Sequence, residues 1–244
     1  DVKALEALFA ERGKEIAAVI VEPVVGNMGV VPPEPGFLEA IIRLCKEHGA
    51  VSIFDEVMTG SRVARGGMQE RVKLRPDMTC LGKIVGGGMP LAAYGGRREI
   101  MQKVAPIGPV YQAGTLSGNP IAVSAALALL ERLDAGVYEK LEALGARLER
   151  GFVEGAKKAN VEICVQRVGS MITPFFTTGP IRSFGDAVKS DTTRFGKWHA
   201  AMLLRGQYWP PSQYEAGFLS AAHSEADVDA TIAAAAEAFA VVAA

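Results

Sequence analysis

The sequence predicts an α/β domain over residues 1–135 and a smaller C-terminal α+β domain over residues 136–244. Helix and strand patterns alternate through the first 57 residues. The strand patterns are short, continuous apolar runs, which are typical of buried parallel strands. After the first domain this alternation stops, and two adjacent strands are followed by polar helices.

The first domain begins with a helix over 2–12, which has its apolar residues on one side and is ended by Gly13. The apolar run 16–23 predicts a parallel strand that is buried on both faces. A helix over 35–50 follows, and 51–57 predicts a second short buried strand. This order is the one expected of an α/β fold.

Weaker patterns complete both domains. The first domain continues with apolar segments at 78–81 and 91–94, a helix over 97–103, a loop over 110–120 and a helix over 121–133. The second domain is predicted to contain a helix over 136–159, two strands within 161–175, polar helices over 183–189 and 191–205, and an alanine-rich helix over 224–243.

Composition excludes several classes of protein. The 26 basic and 27 acidic residues leave a net charge of -1, and nothing indicates nucleic-acid binding. No apolar run reaches the roughly 18 residues of a membrane span. The three cysteines are far apart and form no paired motif, which predicts a cytoplasmic location, or a plastid in a plant. The chain starts within a helix and has no initiating methionine, so we expect an N-terminal portion of the same protein to precede it.

Three short segments contain residues with candidate chemistry. The first is the end of a strand, and the second contains a run of glycines. Asp55 and Glu56 lie together at the end of a buried strand, where α/β proteins bind ligands, although a loop cap or a magnesium ligand fits the Asp55 position equally well. Lys83 lies in GKIVGGGMP with few charges nearby in sequence, and a lysine in apolar surroundings is a competent nucleophile. The glycines after it would let the backbone approach a flat ligand, but they also fit a plain turn.

The third segment is GTLSGNP at 114–120, which leads into a helix that Pro120 can open. Backbone N–H groups and a hydroxyl at a helix start bind phosphate well, and an ordinary capping loop has the same pattern. Together, an acid for a protonated ring nitrogen, a lysine for an aldehyde and a hydroxyl loop for a phosphate match the needs of pyridoxal phosphate. No spacing of side chains indicates a metal site.

The motifs EPVVGN, FDEVMTG, LGKIVGGGMP and YQAGTLSGNP, in this order, resemble those of class III aminotransferases, which are pyridoxal-phosphate enzymes of fold type I. The resemblance covers nearly the whole chain and includes PPSQYEAGFLSAAHS at 210–224. It implies that Lys83 forms the Schiff base with the cofactor and that Asp55 holds the proton of the ring nitrogen. The other site residues that it implies are Val57 against the ring, Asn27 at the ring hydroxyl, Gly114 and Thr115 at the phosphate of a neighbouring subunit's cofactor, and Glu215 near the substrate. A homodimer is therefore expected.

A few positions favour the aminomutases of this family. Related ornithine and 4-aminobutyrate transaminases carry an acid where Asn27 stands, and TFxGNP in place of GTLSGNP. The expected activity is conversion of a small molecule, glutamate-1-semialdehyde, to 5-aminolevulinate, a tetrapyrrole precursor, through the pyridoxal and pyridoxamine forms of the cofactor. The alternatives are a transaminase that uses a keto acid, a related racemase, and an inactive fragment that acts only with a partner chain.

Two details accompany the resemblance. Ser61 stands where the family has a phenylalanine, which predicts looser packing at that point. Residues 107–118 contain three glycines and are expected to form a gating loop over the site.

Overall fold

The computed structural model describes every residue from Asp1 to Ala244 and divides the chain into two compact units. Unit 1 comprises Asp1–Pro23 and Pro33–Asp134, and unit 2 comprises Val24–Pro32 and Ala135–Ala244. The break after Asp134 lies one residue from the predicted boundary.

The segment Val24–Pro32 belongs to unit 2, so its predicted place in the first domain is wrong. Its Val31 is buried in a cluster with Phe175 and Ile181, which are residues of unit 2. Burial of these apolar side chains stabilises the packing. The contact cannot be predicted from sequence order, because the segment lies more than 100 residues from its partners.

Unit 1 is built around a mixed sheet. Its elements are α1 (Val2–Arg12), β1 (Ala18–Val21), α2 (Phe37–His48), β2 (Val51–Glu56), α3 (Gly67–Val72), β3 (Met78–Leu81), β4 (Ala93–Gly96), α4 (Arg98–Met101) and α5 (Pro120–Leu130). The strand order is β1-β2-β3-β4, with the first three strands parallel and β4 antiparallel to β3. Helices α1 and α2 pack against each other and enclose a core that includes Phe9, Ile41 and Phe54.

Most predicted elements of unit 1 are confirmed, with three differences. The strand predicted over 16–23 is shorter, and it is not buried on both faces, because Ile20 is 61% exposed. β1 is an edge strand of this sheet, and no element of unit 1 covers that side chain. Helix α3 was not predicted, and β4 begins two residues later than the predicted apolar segment 91–94.

Unit 2 combines three longer helices with a small antiparallel sheet. Its elements after Val24–Pro32 are α6 (Ala135–Lys158), β5 (Cys164–Val168), β6 (Met171–Phe175), α7 (Phe184–Ala187), α8 (Thr192–Leu204), β7 (Gly217–Phe218) and α9 (Glu225–Ala243). The sheet order is β5-β6-β7. Phe152, Trp198 and Phe239 are fully buried among α6, α8 and α9. All the helices and strands predicted here are present, and Ser224 caps α9 as predicted.

None of the helices in either unit combines the length and the apolar character that crossing a membrane requires.

Candidate active site

The strands β2 and β3 run side by side and bring two predicted site residues to one edge of the sheet. Asp55 pairs with Cys80 and Glu56 pairs with Leu81 in parallel register. Lys83 lies two residues beyond the end of β3. The carboxyl ends of parallel strands are where ligands bind in α/β folds, and Asp55 and Lys83 both lie at that end of the sheet.

The Asp55 side chain has one anchored oxygen and one open oxygen. Oδ1 accepts a hydrogen bond from the Val57 backbone N–H at 3.0 Å, and Oδ2 accepts none from the chain. Alternation along β2 puts Asp55 on the less covered face of the strand, opposite buried Phe54. Burial, and after it the negative charge of Asp55, raises the pKa of the neighbouring Cys80 thiol. The site therefore offers an oriented carboxylate that can accept a hydrogen bond from a cationic N–H group.

The adjacent Glu56 carboxylate is fully buried and fully satisfied. Its Oε2 accepts from Met68 N–H at 2.7 Å and from the Thr59 hydroxyl at 2.8 Å. Its Oε1 accepts from the backbone N–H and the side-chain amide of Gln69, both at 3.0 Å. A buried carboxylate with four donors is a structural group that holds the loop after β2. The sequence showed two acids together but gave no way to assign this structural role to Glu56.

Lys83 has an unusual backbone conformation. Its φ is +50°, in the left-handed region that disfavours side chains, and it opens a short 3-10 turn, Lys83–Gly86. A non-glycine residue there costs about 1–3 kcal/mol and is found most often at functional sites. Lys73 has a similar φ of +55°, but it follows α3 as a C-cap, where that conformation is common. The expectation that Lys83 has apolar surroundings is wrong, because the turn leaves the sheet at the surface of unit 1 and its side chain is exposed.

The glycines after Lys83 have a packing role that the sequence prediction missed. Gly87 has φ +59°, and a Cβ built on it would lie 2.5 Å from the carbonyl oxygen of Ala125 in α5. Gly88 has φ +91° and open space around it. At Gly87 the backbone therefore approaches helix α5 closely, which differs from the predicted approach to a flat ligand. Gly87 lets the turn that carries Lys83 lie directly against the helix that follows the predicted phosphate loop.

We expect Gly87→Ala to lower the free energy of unfolding by about 1–3 kcal/mol more than Gly88→Ala does. Both variants place alanine at positive φ, so both carry the same kind of backbone strain. Only the first also forces a methyl group against the backbone of α5. Denaturant unfolding of the two variants measures the difference, and equal losses would show that the contact with α5 does not constrain the turn.

The predicted phosphate loop precedes α5. Ser117 N–H donates to the Gly114 carbonyl at 3.0 Å, and Asn119 caps the helix by accepting from Ala122 N–H at 3.0 Å. The backbone N–H groups of Thr115 and Leu116 donate to no group of the chain. The loop is thus both a helix cap and a set of exposed donors, which is the arrangement that binds an anion.

A cavity of about 500 Å³ in unit 1 opens beside these elements. Its lining comprises Val57, Cys80, Leu81, Pro90, Leu91, Ala92, Ala93, Tyr94, Gln112, Gly114, Leu116, Ser117 and Gly118. Val57 and Gly114 are predicted site residues, whereas Lys83, Asp55 and Thr115 do not line this cavity. Most of the lining is apolar, and its volume falls within the usual range for small-molecule sites.

The other two predicted site residues, Asn27 and Glu215, are in unit 2 and have exposed side chains. They lie on neighbouring segments, because Gly29 N–H donates to the Tyr214 carbonyl at 2.7 Å. No group of three or more His, Cys, Asp or Glu side chains converges in a way that could hold a metal ion.

Comparison with known proteins identifies close relatives. A glutamate-1-semialdehyde 2,1-aminomutase from Sorangium cellulosum (strain So ce56) is 69% identical over 98% of this chain and 55% of its own length. An enzyme of the same name from Myxococcus xanthus (strain DK1622) is 55% identical over 98% of this chain and 56% of its own length. The chain therefore spans about half the length of the curated relatives it matches.

Solved structures show the same fold. An omega-transaminase from Sphaerobacter thermophilus superposes with a TM-score of 0.90 at 31% identity, over 99% of this chain and 56% of that one. A glutamate-1-semialdehyde-aminomutase variant from Pseudomonas aeruginosa PAO1, in complex with PMP, superposes with a TM-score of 0.88 at 26% identity. The match covers 99% of this chain and 55% of that one. These matches confirm the expected fold type I architecture. The profile of the class-III aminotransferases matches residues 2–189, and the chain belongs to that family.

Proposed function

We propose that the protein carrying this chain converts glutamate-1-semialdehyde to 5-aminolevulinate with pyridoxal phosphate as cofactor. The observation that carries the proposal is Lys83, which has a strained left-handed conformation just beyond β3, the strand that pairs with the Asp55-bearing strand β2. Glycine would adopt this backbone conformation at lower energy, and Lys83, unlike Lys73, does not follow a helix whose C-cap explains it. The names of the Sorangium and Myxococcus relatives supply the specific reaction.

The residues of unit 1 fit the cofactor. Lys83 would attach its aldehyde covalently, and the open oxygen of Asp55 would accept a hydrogen bond from its protonated ring nitrogen. By the family resemblance Val57 would pack against the ring, and its backbone N–H already holds the Asp55 carboxylate. Bound pyridoxal phosphate supplies an electron sink, and its pyridoxamine form supplies an amino group. Lys83 would then move protons at the substrate carbon atoms, because its amine is the exposed base on this strand edge.

The remaining assignments rest on the family resemblance and on exposure. The donors of Gly114 and Thr115 would bind the phosphate of the cofactor in a second copy of the chain. Asn27 would bind the ring hydroxyl, and Glu215 would lie near the substrate. All four residues are exposed, so each can reach a ligand.

An aminomutase needs no amino acceptor, and this property separates it from the second candidate. Glutamate-1-semialdehyde and 5-aminolevulinate are isomers, so moving the amino group leaves the net oxidation state unchanged. A transaminase acting on an ω-amino acid requires a keto acid instead. The superposition on the Sphaerobacter omega-transaminase favours this second candidate, although the chain is much more similar in sequence to the two aminomutases.

The decisive experiment supplies the semialdehyde to the protein that carries this chain, loaded with pyridoxamine phosphate and without any keto acid. We expect 5-aminolevulinate to accumulate over many turnovers. If turnover stops after one equivalent, with the cofactor left in its pyridoxal form, and resumes only when an amino donor is added, the aminomutase proposal is overturned and the transaminase is supported. Failure to hold cofactor in the folded protein would support the inactive-fragment alternative.

We also propose a homodimer in the cytoplasm. Unit 1 exposes large apolar side chains at Ile107, Tyr111, Leu116 and Ile121, close in sequence to the phosphate loop. A second copy would cover such a surface and would place its cofactor near Thr115. The three cysteines are free thiols, which suits a reducing compartment.

A further inference from the structure

One buried hydroxyl in unit 2 joins the two segments that carry Asn27 and Glu215. Thr173 lies in β6 and is 1% exposed. Its Oγ1 accepts a hydrogen bond from Val30 N–H at 3.0 Å and donates one to the carbonyl of Glu215 at 3.0 Å. The hydroxyl therefore uses both its donor and an acceptor position, each on a different segment.

The first segment is held tightly against β6 around this hydroxyl. Gly29 has φ +80°, and a Cβ built on it would lie 2.4 Å from the Phe175 ring and 3.1 Å from the Thr173 methyl group. The Gln166 amide donates to the Val30 carbonyl at 2.8 Å. Both backbone groups of Val30 are thus fixed by side chains of the β5-β6 pair, three residues from Asn27.

The second segment depends on the same strand. Glu215 is tied to Thr173 through its backbone carbonyl, and its N–H donates to the Ser212 carbonyl at 3.1 Å. Both polar groups of its backbone are therefore bonded, while its side chain is exposed. Without the Thr173 hydroxyl, the Val30 N–H would lose its partner in a buried setting and the Glu215 carbonyl in a partly buried one, which forces a backbone shift or a desolvation penalty.

We infer that Thr173 is a positioning residue, whose hydroxyl sets the spacing between the segment that carries Asn27 and the segment that carries Glu215. The inference rests on the proposed function, in which Asn27 meets the cofactor and Glu215 meets the substrate. Thr173 touches neither molecule. Its effect is exerted through two backbone bonds, and displacements of about 1 Å at a reacting group can lower rates by about 100-fold.

The test compares substitutions that separate the hydroxyl from the bulk of Thr173. Thr173→Val keeps the shape and removes both bonds, and Thr173→Ser keeps the hydroxyl. Thr231→Val is the matched control, because it removes another hydroxyl of unit 2, one that bonds Gln207 and the Asp227 carbonyl. The readouts on the cofactor-loaded protein are the absorption spectrum and release rate of the cofactor, and kcat and KM for the semialdehyde.

We expect Thr173→Val to raise KM and lower kcat/KM by about 10- to 100-fold, to shift the cofactor absorption band, and to speed cofactor release. Thr173→Ser keeps the hydroxyl, so all of these quantities should stay close to their wild-type values. Thr231→Val should also leave them unchanged. Wild-type values in Thr173→Val would overturn the inference, as would an equal loss in Thr231→Val. If the valine variant does not fold, Thr173→Cys replaces it, since a thiol is a weak donor and acceptor, and wild-type values there would equally overturn the inference.

These readouts separate the inference from the proposed function. Absence of 5-aminolevulinate with the unsubstituted protein contradicts the proposed reaction, whatever Thr173 does. The cofactor spectrum and release rate depend on no particular substrate. A spectrum and release rate that change in Thr173→Val and recover in Thr173→Ser would therefore support the positioning role even if another amine proved to be the substrate.

Discussion

Replacing Lys83 with alanine is expected to remove the absorption band of covalently held pyridoxal phosphate and to lower turnover by at least about 10²–10⁴-fold. The amine is proposed both to attach the cofactor and to move protons, so its loss removes two contributions at once. The fold should survive, because the side chain is exposed and alanine only keeps the existing strain at φ +50°. Absorbance of the cofactor-loaded protein and steady-state rates measure the effect.

Lys73 offers a matched control for this experiment. It is also an exposed lysine of unit 1 with positive φ, at +55°, so Lys73→Ala changes charge and local strain in the same way. We expect that variant to keep the absorption band and the rate. An undiminished band in Lys83→Ala, or an equal loss in Lys73→Ala, would contradict the assignment of the amine to Lys83.

The chemistry of the site was visible in the sequence because it depends on local patterns. Asp55 lies near the end of an apolar strand, Lys83 precedes a glycine run, and Thr115 precedes a helix opened by proline. Each pattern also fits a structural role, and only their combination pointed to one cofactor. The structure adds the register of β2 and β3, which shows that two of these residues share a sheet edge.

What the sequence could not predict depends on contacts between distant segments. The closeness of Gly87 to Ala125 and the bridge from Thr173 to Val30 and Glu215 have no local pattern. The same holds for Ile20, which is exposed because no element of unit 1 covers its side of β1, although its neighbours in sequence are apolar. A run of hydrophobic residues predicts that a strand forms, but the burial of that strand depends on which elements pack against it.

Asp55→Asn is expected to lower kcat by about 10²–10³-fold while changing stability little. In the unsubstituted protein the Val57 N–H donates to Asp55 Oδ1 at 3.0 Å. Asparagine keeps an oxygen for this bond, so the backbone after β2 should not move. What is lost is the negative charge that would stabilise a protonated ring nitrogen. We expect cofactor still to bind through Lys83, with an altered absorption spectrum, and turnover to fall most at the steps that remove a proton from carbon.

The neighbouring Glu56 tests whether this effect is specific to the open carboxylate. In Glu56→Gln an amide N–H₂ must face at least one of the donors from Thr59, Met68 and Gln69. We expect a loss of about 1–3 kcal/mol in the free energy of unfolding, because a buried acceptor is replaced by a donor. The residual rate of the folded Glu56→Gln protein should exceed that of Asp55→Asn. If both substitutions reduce kcat equally, the loss follows from disturbing the loop after β2. A loss confined to Asp55 follows from its charge, because the two carboxylates are adjacent and only Asp55 has an oxygen that the chain leaves open.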